Sequence, residues 1–298
     1  MDAPALTVLT GPTAAGKSDL ALAWARRVGA EIVTADSMQI YRGLDVGTAK
    51  PAPAERAEVP HHLIDVADVE ETFSAARFAQ LADRAVADVA ARGRPVLVVG
   101  GTMLYLRALL RGLHATPAAD PALRAELDAA PLDEIRARLA QLDAASASRI
   151  HPHDRLRLQR ALEITLCAGA PASRLRAEHG FRGRRYTFRL YALVPPVESL
   201  RARIVARVGR MMATGLVDET RMLLDRGAGR PLPPLRALGY RHVAAHLRGE
   251  MTLDEAAARC VRDTRAFARR QLAWLRTEPE VRYLERPDSM PDPLVNAA

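Results

Sequence analysis

Cysteine is nearly absent. Cys167 and Cys260 stand far apart with no CxxC or histidine spacing around them, which excludes a disulfide frame or a zinc site as the organising element. A reducing cytoplasm is the simplest expectation. No run approaches the ~20 apolar residues that a membrane helix needs, so no membrane partner is expected. The N-terminus has no basic region ahead of its first apolar stretch, and that stretch runs directly into a glycine turn. It reads as a first strand and not as a signal peptide. Internal repeats are lacking too. The scarcest charge is lysine: among 43 Lys and Arg residues, only Lys17 and Lys50 are lysines. A chain that uses arginine wherever either cation serves keeps lysine where a compact ammonium is needed.

The 298 residues are 49% hydrophobic, enough for one large α/β domain or a core with a smaller companion. A net charge of +8 favours polyanions without specifying one. Leu6–Thr10, Glu31–Thr34 and the apolar part of "PVLVVGGT" (Pro95–Thr102) read as strands. Lys17–Val28, Phe73–Ala91 and Leu104–Leu110 read as helices between them. This alternation predicts an α/β fold with a doubly wound parallel sheet of the P-loop NTPase-like kind. From Thr116 to about Gly183 the chain turns helical and rich in Ala and Arg. "RRYTFRLYALVPP" restores strand alternation, and helices follow at Val197–Thr214, Asp218–Asp225 and Leu253–Arg276. Residues 1–115 with 184–298 are therefore expected to form the core, and 116–183 an inserted helical domain. The Pro-rich end from Pro287 is expected to be loose.

"GPTAAGKS", Gly11–Ser18, has the spacing G-x-x-x-x-G-K-[ST] between a strand and a helix. Backbone N–H groups of such a turn converge on an anion, with the helix dipole adding to the pull. Lys17 would reach the outer phosphate and Ser18 would ligate Mg²⁺. An ATPase of this type brings a second metal carboxylate at the end of an apolar strand, but "PVLVVGG" ends in Gly100-Gly101. Glycine there permits close approach of a ligand but cannot hold a metal or activate water. The nearest strand-end carboxylate is Asp36, in "ADSMQIYRGLDVGTAKP", a candidate base, metal partner or both, with a turn or N-cap role as the alternative. Asp45 reads as a turn residue. In "HPHDRLR", Asp154 reads as a helix cap and not as a metal ligand.

In their order and spacing, "GPTAAGKSDLAL", "ADSMQIYRGLDVGTAKP", "HHLIDV" and "VGGTMLYLRALLRGL" resemble the bacterial tRNA dimethylallyltransferases. The resemblance continues through "DRLRLQRALEI", "LRARIVARVGRMMATGLVDE", "LRALGYRHV" and "TRAFARRQLAWLR", covering nearly the whole chain. Ser18 stands where many members have Thr, and Met38-Gln39 where several have other residues; neither removes a needed functional group.

The resemblance implies transfer of a dimethylallyl group from dimethylallyl diphosphate to N6 of the adenosine beside the tRNA anticodon, A37. Gly11, Pro12, Thr13, Ala14, Ala15, Gly16, Lys17 and Ser18 would then cradle the diphosphate leaving group, with Mg²⁺ on Ser18 and Asp36. Asp36 would act as base, with Lys17, Thr13 and Arg207 on the diphosphate. Arg203 is the rival to Arg207, and a surface arginine the alternative for both. It also implies tRNA contacts at Asp36, Ser37, Met38, Gln39, Thr102 and Arg124. Gln159, Arg160, Ala161, Leu162 and Glu163 match a further tRNA-contacting segment, as do Arg236, Gly239, Tyr240 and Arg241. Tyr240 or Arg241 would stack on a loop base. Spacing alone makes Gln159 and Glu163 an ordinary solvated pair beside a buried stripe of Leu158, Leu162 and Leu166. Arg262, Arg265 and Arg269 fall on one helical face suited to a phosphate backbone. Nothing demands a dimer, so a monomer is expected. The competing readings are a P-loop small-molecule kinase with a helical lid, and a basic RNA-binding protein with a vestigial loop.

Overall fold

The computed structural model describes residues 4–114, 120–230, 232–284 and 290–294. The chain divides into two compact units, residues 1–110 with 184–298, and 111–183. The first opens with β1 (Leu6–Thr10), α1 (Lys17–Val28), β2 (Glu31–Thr34), α2 (Pro53–Glu58) and β3 (His61–His62). α3 (Ala75–Ala91), β4 (Val96–Val99) and α4 (Met103–Arg111) follow. The second holds α5 (Pro121–Ala129), α6 (Leu132–Leu142), α7 (Ala144–Arg149), α8 (Arg155–Ala168) and α9 (Ala172–His179). The chain then returns to the first unit as β5 (Phe188–Leu193), α10 (Val197–Ala213), α11 (Leu216–Gly227), a 3-10 turn (Pro233–Arg236), α12 (Tyr240–Leu247), α13 (Leu253–Leu275) and β6 (Val281–Leu284).

The strands form one parallel sheet in the order β3-β2-β4-β1-β5-β6. β1 lies centrally, with Leu6 opposite both Val96 and Phe188. Every residue of β1, β2 and β4 is buried, as a sheet covered on both faces requires. Side-chain alternation sends Leu6, Val8, Val33 and Val98 into one core with Phe78, Val86, Leu106 and Leu109. Leu9, Ile32, Leu97 and Tyr191 enter the opposite core with Leu22 and Trp24 of α1. The doubly wound parallel sheet anticipated from the alternating pattern is thus present.

Helix boundaries follow local chemistry. Ser74 caps α3 by accepting the Arg77 N–H, and Gly16 precedes α1 in the left-handed region at φ 94°, a conformation glycine adopts without a Cβ penalty. Asp154 caps α8 through the Arg157 N–H at 3.2 Å, as expected. Two edge strands and two short helices had no readable pattern: β3 is two residues long, and β6 leaves Arg282 and Tyr283 exposed. α2 and α12 are six and eight residues.

Two expectations need correction. Pro287 lies outside the described residues, but residues 290–294 are docked on α1. Met290 is buried, the Trp24 indole donates to the Pro291 carbonyl at 2.8 Å, and Arg27 pairs with Asp292. In α8, Leu158 and Leu162 are buried, but Leu166 is 36% exposed. The second unit's core lies instead on Leu127, Ile135, Leu139, Leu158 and Leu162.

Phe78 is fully buried and stacks on Tyr105 with centroids 4.2 Å apart. Phe78→Ala is expected to lower unfolding stability by about 3–5 kcal/mol, read as a shift in the denaturant midpoint.

Candidate active site

The loops at the carboxyl ends of β1, β2 and β4, where ligands of open α/β sheets bind, converge with α10, α12 and α13 around one cavity of about 500 Å³. Of the anticipated residues, Thr13, Lys17, Ser18, Asp36, Ser37, Met38, Gln39, Thr102, Arg207, Arg236, Gly239, Tyr240 and Arg241 line it. Asp36 is the single carboxylate among the described lining residues, which also include the cations Lys17, Arg207, Arg236 and Arg270, and Arg241, itself paired with Asp263. That imbalance suits a multiply charged anion.

Lys17, the first residue of α1, donates to the Pro12 carbonyl at 2.8 Å, across the mouth of the glycine loop. Burial, helped by the neighbouring positive charge of Arg207, lowers its ammonium from 10.5 to about 8, against the opposing pull of Asp36. Arg207 is half-buried on α10; burial lowers its pKa, and Asp36 again pulls the other way. Its rival Arg203 is exposed and donates to the Ala15 carbonyl at 2.9 Å, bracing the loop, and it is not among the lining residues. Of the two arginines, Arg207 lines the cavity and Arg203 braces the loop beside it.

Asp36 sits in the first turn after β2. Its Oδ1 accepts the N–H groups of Met38 at 2.8 Å and Gln39 at 3.3 Å, an Asx-type turn. One carboxylate oxygen is thereby fixed by the backbone, so the alternative turn role and an outward-facing role coexist in one side chain. Thr102 Oγ1 accepts the Ser37 N–H at 3.0 Å, tying this turn to the end of β4. The glycines there serve the protein's own packing. A Cβ on Gly100 would lie 2.0 Å from the Ala35 carbonyl oxygen, and one on Gly101 would lie 2.6 Å from the Gln271 amide nitrogen. The close approach once expected of a ligand is made by the chain itself.

Ser18 and Asp36 supply only hard oxygen donors, and among the described residues no cluster of three His, Cys, Asp or Glu side chains exists to cage a metal. This pair fits Mg²⁺, which binds through one or two protein oxygens and fills its shell with phosphate and water.

Several anticipated contact residues turn out to hold the protein together. Tyr240 is 1% exposed, and its hydroxyl donates to Glu219 Oε2 at 2.8 Å, so its ring is not free to stack on a base. The same Glu219 carboxylate accepts the N–H groups of Asp45, Val46 and Gly47. The Gln39 amide donates to the carbonyls of Thr48 and Ala49, both at 3.1 Å. Arg241 pairs with Asp263, which also takes Arg262 and His242. Lys50, with its side chain 3% exposed, donates to Tyr41 O, Asp45 and Asp65. It is a compact ammonium with three acceptors, structural and not catalytic.

In the second unit, Arg124 and Arg160 both pair with the buried Glu163. Gln159, also buried, donates to the Leu127 carbonyl at 2.7 Å. Gln159 and Glu163 are therefore not a solvated pair, and Ala161 and Leu162 are core residues. Arg124 and Arg160 keep about half of their side chains exposed.

Several lining residues carry no motif signal in the sequence, among them Arg270, His61 and Gln271. His61 has its ring Nδ1 2.7 Å from the Val59 carbonyl, and burial lowers its pKa. A carbonyl only accepts, so Nδ1 carries the proton and Nε2 is a bare acceptor. Gln271, buried at 4%, accepts the Thr13 N–H at 2.8 Å and donates to the Gly101 carbonyl at 2.9 Å. The available signal was a polar residue on the buried stripe Cys260–Thr264–Ala268 of α13.

The IPP transferase family model matches residues 39–278. A tRNA dimethylallyltransferase of Anaeromyxobacter sp. (strain Fw109-5) is 55% identical over 286 residues, covering 95% of both chains. The tRNA dimethylallyltransferase 1 of Citrifermentans bemidjiense is 49% identical over 282 residues, 95% of this chain and 92% of that relative. Among solved structures, the tRNA isopentenylpyrophosphate transferase of Bacillus halodurans superposes with a TM-score of 0.69 at 36% identity, covering 94% of this chain and 89% of that one. A eukaryotic dimethylallyltransferase acting on tRNA gives a TM-score of 0.80 at 26% identity, over 94% of this chain and 73% of that one.

The Lys17 charge gives a pH test. Above about pH 8 the ammonium loses its proton and the cavity loses a positive charge. Affinity for an alkyl diphosphate, itself fully ionised in that range, is expected to fall as pH rises through that value in titration calorimetry. Lys17→Met is expected to bind more weakly and without that step.

Proposed function

The chain belongs to the IPP transferase family, and on that premise we propose that it transfers a dimethylallyl group from dimethylallyl diphosphate to N6 of adenosine 37 in tRNA, releasing diphosphate. The observation that carries this reading is the cavity in which Asp36, the one described lining carboxylate, is gathered with Lys17, Thr13 and Arg207. No second strand-end carboxylate follows β4, whose last residue leads into Gly100-Gly101. That is what a site needs when it must stabilise a leaving anion and has no water to activate.

In the proposed reaction the N6 lone pair forms a bond to C1 of the allylic group while the C1–O bond breaks. Its electrons leave on the diphosphate. Negative charge builds on that oxygen, and fixed donors aimed at it lower the barrier. The loop N–H groups, Lys17, the Thr13 hydroxyl and Arg207 are those donors. Asp36 takes the proton that N6 sheds; with Oδ1 committed to Met38 and Gln39, Oδ2 is the accepting atom. Mg²⁺ held at Ser18, with Asp36 close by, would supply further charge neutralisation at the diphosphate while Oδ2 stays available for the proton.

The adenosine must leave the anticodon loop to reach this cavity, as bases do in other base-modifying enzymes. Arg236 and Arg270 at the cavity wall suit the phosphates beside the adenosine, and within the helical unit Arg124 and Arg160 are half-exposed cations suited to RNA phosphates. Arg265 and Arg269 join them on the α13 face. No described helix is long and apolar enough to cross a membrane, and a cytoplasmic monomer acting on free tRNA fits this reading.

Incubation with unmodified tRNA, labelled dimethylallyl diphosphate and Mg²⁺ is expected to place the label on adenosine. Absence of transfer together with ATP turnover onto a small acceptor would instead support a kinase. Asp36→Ala is expected to slow single-turnover transfer by about 10²–10⁴ with tRNA affinity nearly intact; a matching loss of tRNA affinity would make Asp36 structural.

A further inference from the structure

We infer that Gln271 is a positioning residue for the transfer reaction, clasping the diphosphate loop in register with the Asp36 turn; the inference rests on the function proposed above. Gln271 lies 258 residues from Thr13 in the chain, and its side chain is almost fully buried. Its amide orientation is fixed by its partners. The Thr13 N–H can only donate, so it faces Oε1 at 2.8 Å, and the Gly101 carbonyl can only accept, so it faces Nε2 at 2.9 Å. Few side chains other than a primary amide satisfy both at once.

The contacts continue from there to the base. Gly101 follows Gly100, whose missing side chain leaves room for the Ala35 carbonyl. The Thr102 N–H donates to that carbonyl at 3.3 Å, and the Ala35 N–H donates to Val99 O at 2.7 Å. Asp36 is the next residue. Thr13, Gln271, Gly101, Gly100, Ala35 and Asp36 therefore form one path made of backbone contacts and one locked amide. Thr13 stands at the leaving-group end of the reaction and Asp36 at the attacking end. The distance between them governs catalysis: a misplacement of about 1 Å costs on the order of 10²-fold in rate. Losing the amide also leaves a half-buried N–H and a half-buried carbonyl without their protein partner, which favours rearrangement of the two loops.

The test uses Gln271→Met, which keeps the volume without the hydrogen bonds, and Gln271→Glu. Single-turnover transfer is measured with both substrates saturating, alongside tRNA affinity by filter binding. Q271M is expected to lose about 10- to 100-fold in rate with tRNA affinity unchanged. Q271E separates positioning from packing. Ionised, its carboxylate accepts from Thr13 but repels the Gly101 carbonyl; protonated, it accepts from one and donates to the other, restoring the clasp. Its rate relative to wild type is expected to climb as pH falls through the carboxyl titration, while the Q271M ratio stays flat. The ionisable side chains of the same cavity, Lys17, Asp36, His61, Cys260 and the arginines, are common to all three proteins, and the neutral Q271M controls for their contribution. Q271M within about twofold of wild type, or equal pH-independent losses in both variants, overturns the inference. Should Q271M fail to fold, the Q271E ratio alone decides. Inactive wild-type enzyme overturns the function itself, whereas active wild type beside a full-rate Q271M overturns only the role of Gln271.

Discussion

The backbone after β2 and the backbone after β4 touch at one place, and the site depends on that contact. With glycine at 100, the Ala35 carbonyl occupies the space a side chain would need; any larger residue would push the two strand ends apart. Asp36 is carried on one of these ends, and Gly101, which receives Gln271, on the other. The parallel sheet sets the stage, since β1, β2 and β4 are adjacent and end on the same edge. Hydrogen bonds from Thr102 and Gln271 then reduce the remaining freedom of the loops to one arrangement.

Charge is arranged on that frame with the same economy. Lys17 and Arg207 each lose part of their basicity to burial, and each is partly restored by Asp36. An anion bound there would relieve both penalties, so under the proposed function part of the binding energy of a diphosphate would come from cations that are under-compensated without it. The carboxylate is half committed, with one oxygen held by two backbone N–H groups and the other directed to chemistry. Under the proposed function, this division of labour would let the same residues serve both ends of a substitution.

The sequence made Lys17, Ser18 and Asp36 legible because their signals are local: a glycine loop between strand and helix, and a carboxylate just past a buried strand. The core strands and long helices were legible for the same reason. Residues whose roles depend on distant partners were misjudged. Tyr240 reads, with Arg241, as a stacking candidate, but its ring is buried and Glu219 takes its hydroxyl. Gln159 and Glu163 looked solvated because their partners, Leu127 and Arg124, lie in another helix. Lys50 was rightly marked as needing an ammonium, but its acceptors show the need to be structural. Gln271 escaped notice because no local pattern connects it to a loop near the N-terminus. The edge strands β3 and β6 are too short or too exposed to leave a periodic trace.

The central claim is that the glycine loop holds a departing diphosphate directly opposite Asp36. A crystal structure with Mg²⁺, an unreactive thiolo analogue of dimethylallyl diphosphate and an unmodified anticodon stem-loop measures this as a distance. The expected result is the diphosphate on Gly11–Ser18 with Lys17 and Arg207 in contact, and the adenine N6 about 2.6–3.2 Å from Asp36 Oδ2. A diphosphate bound elsewhere, or an N6 out of reach of Asp36 with both substrates seated, would contradict it.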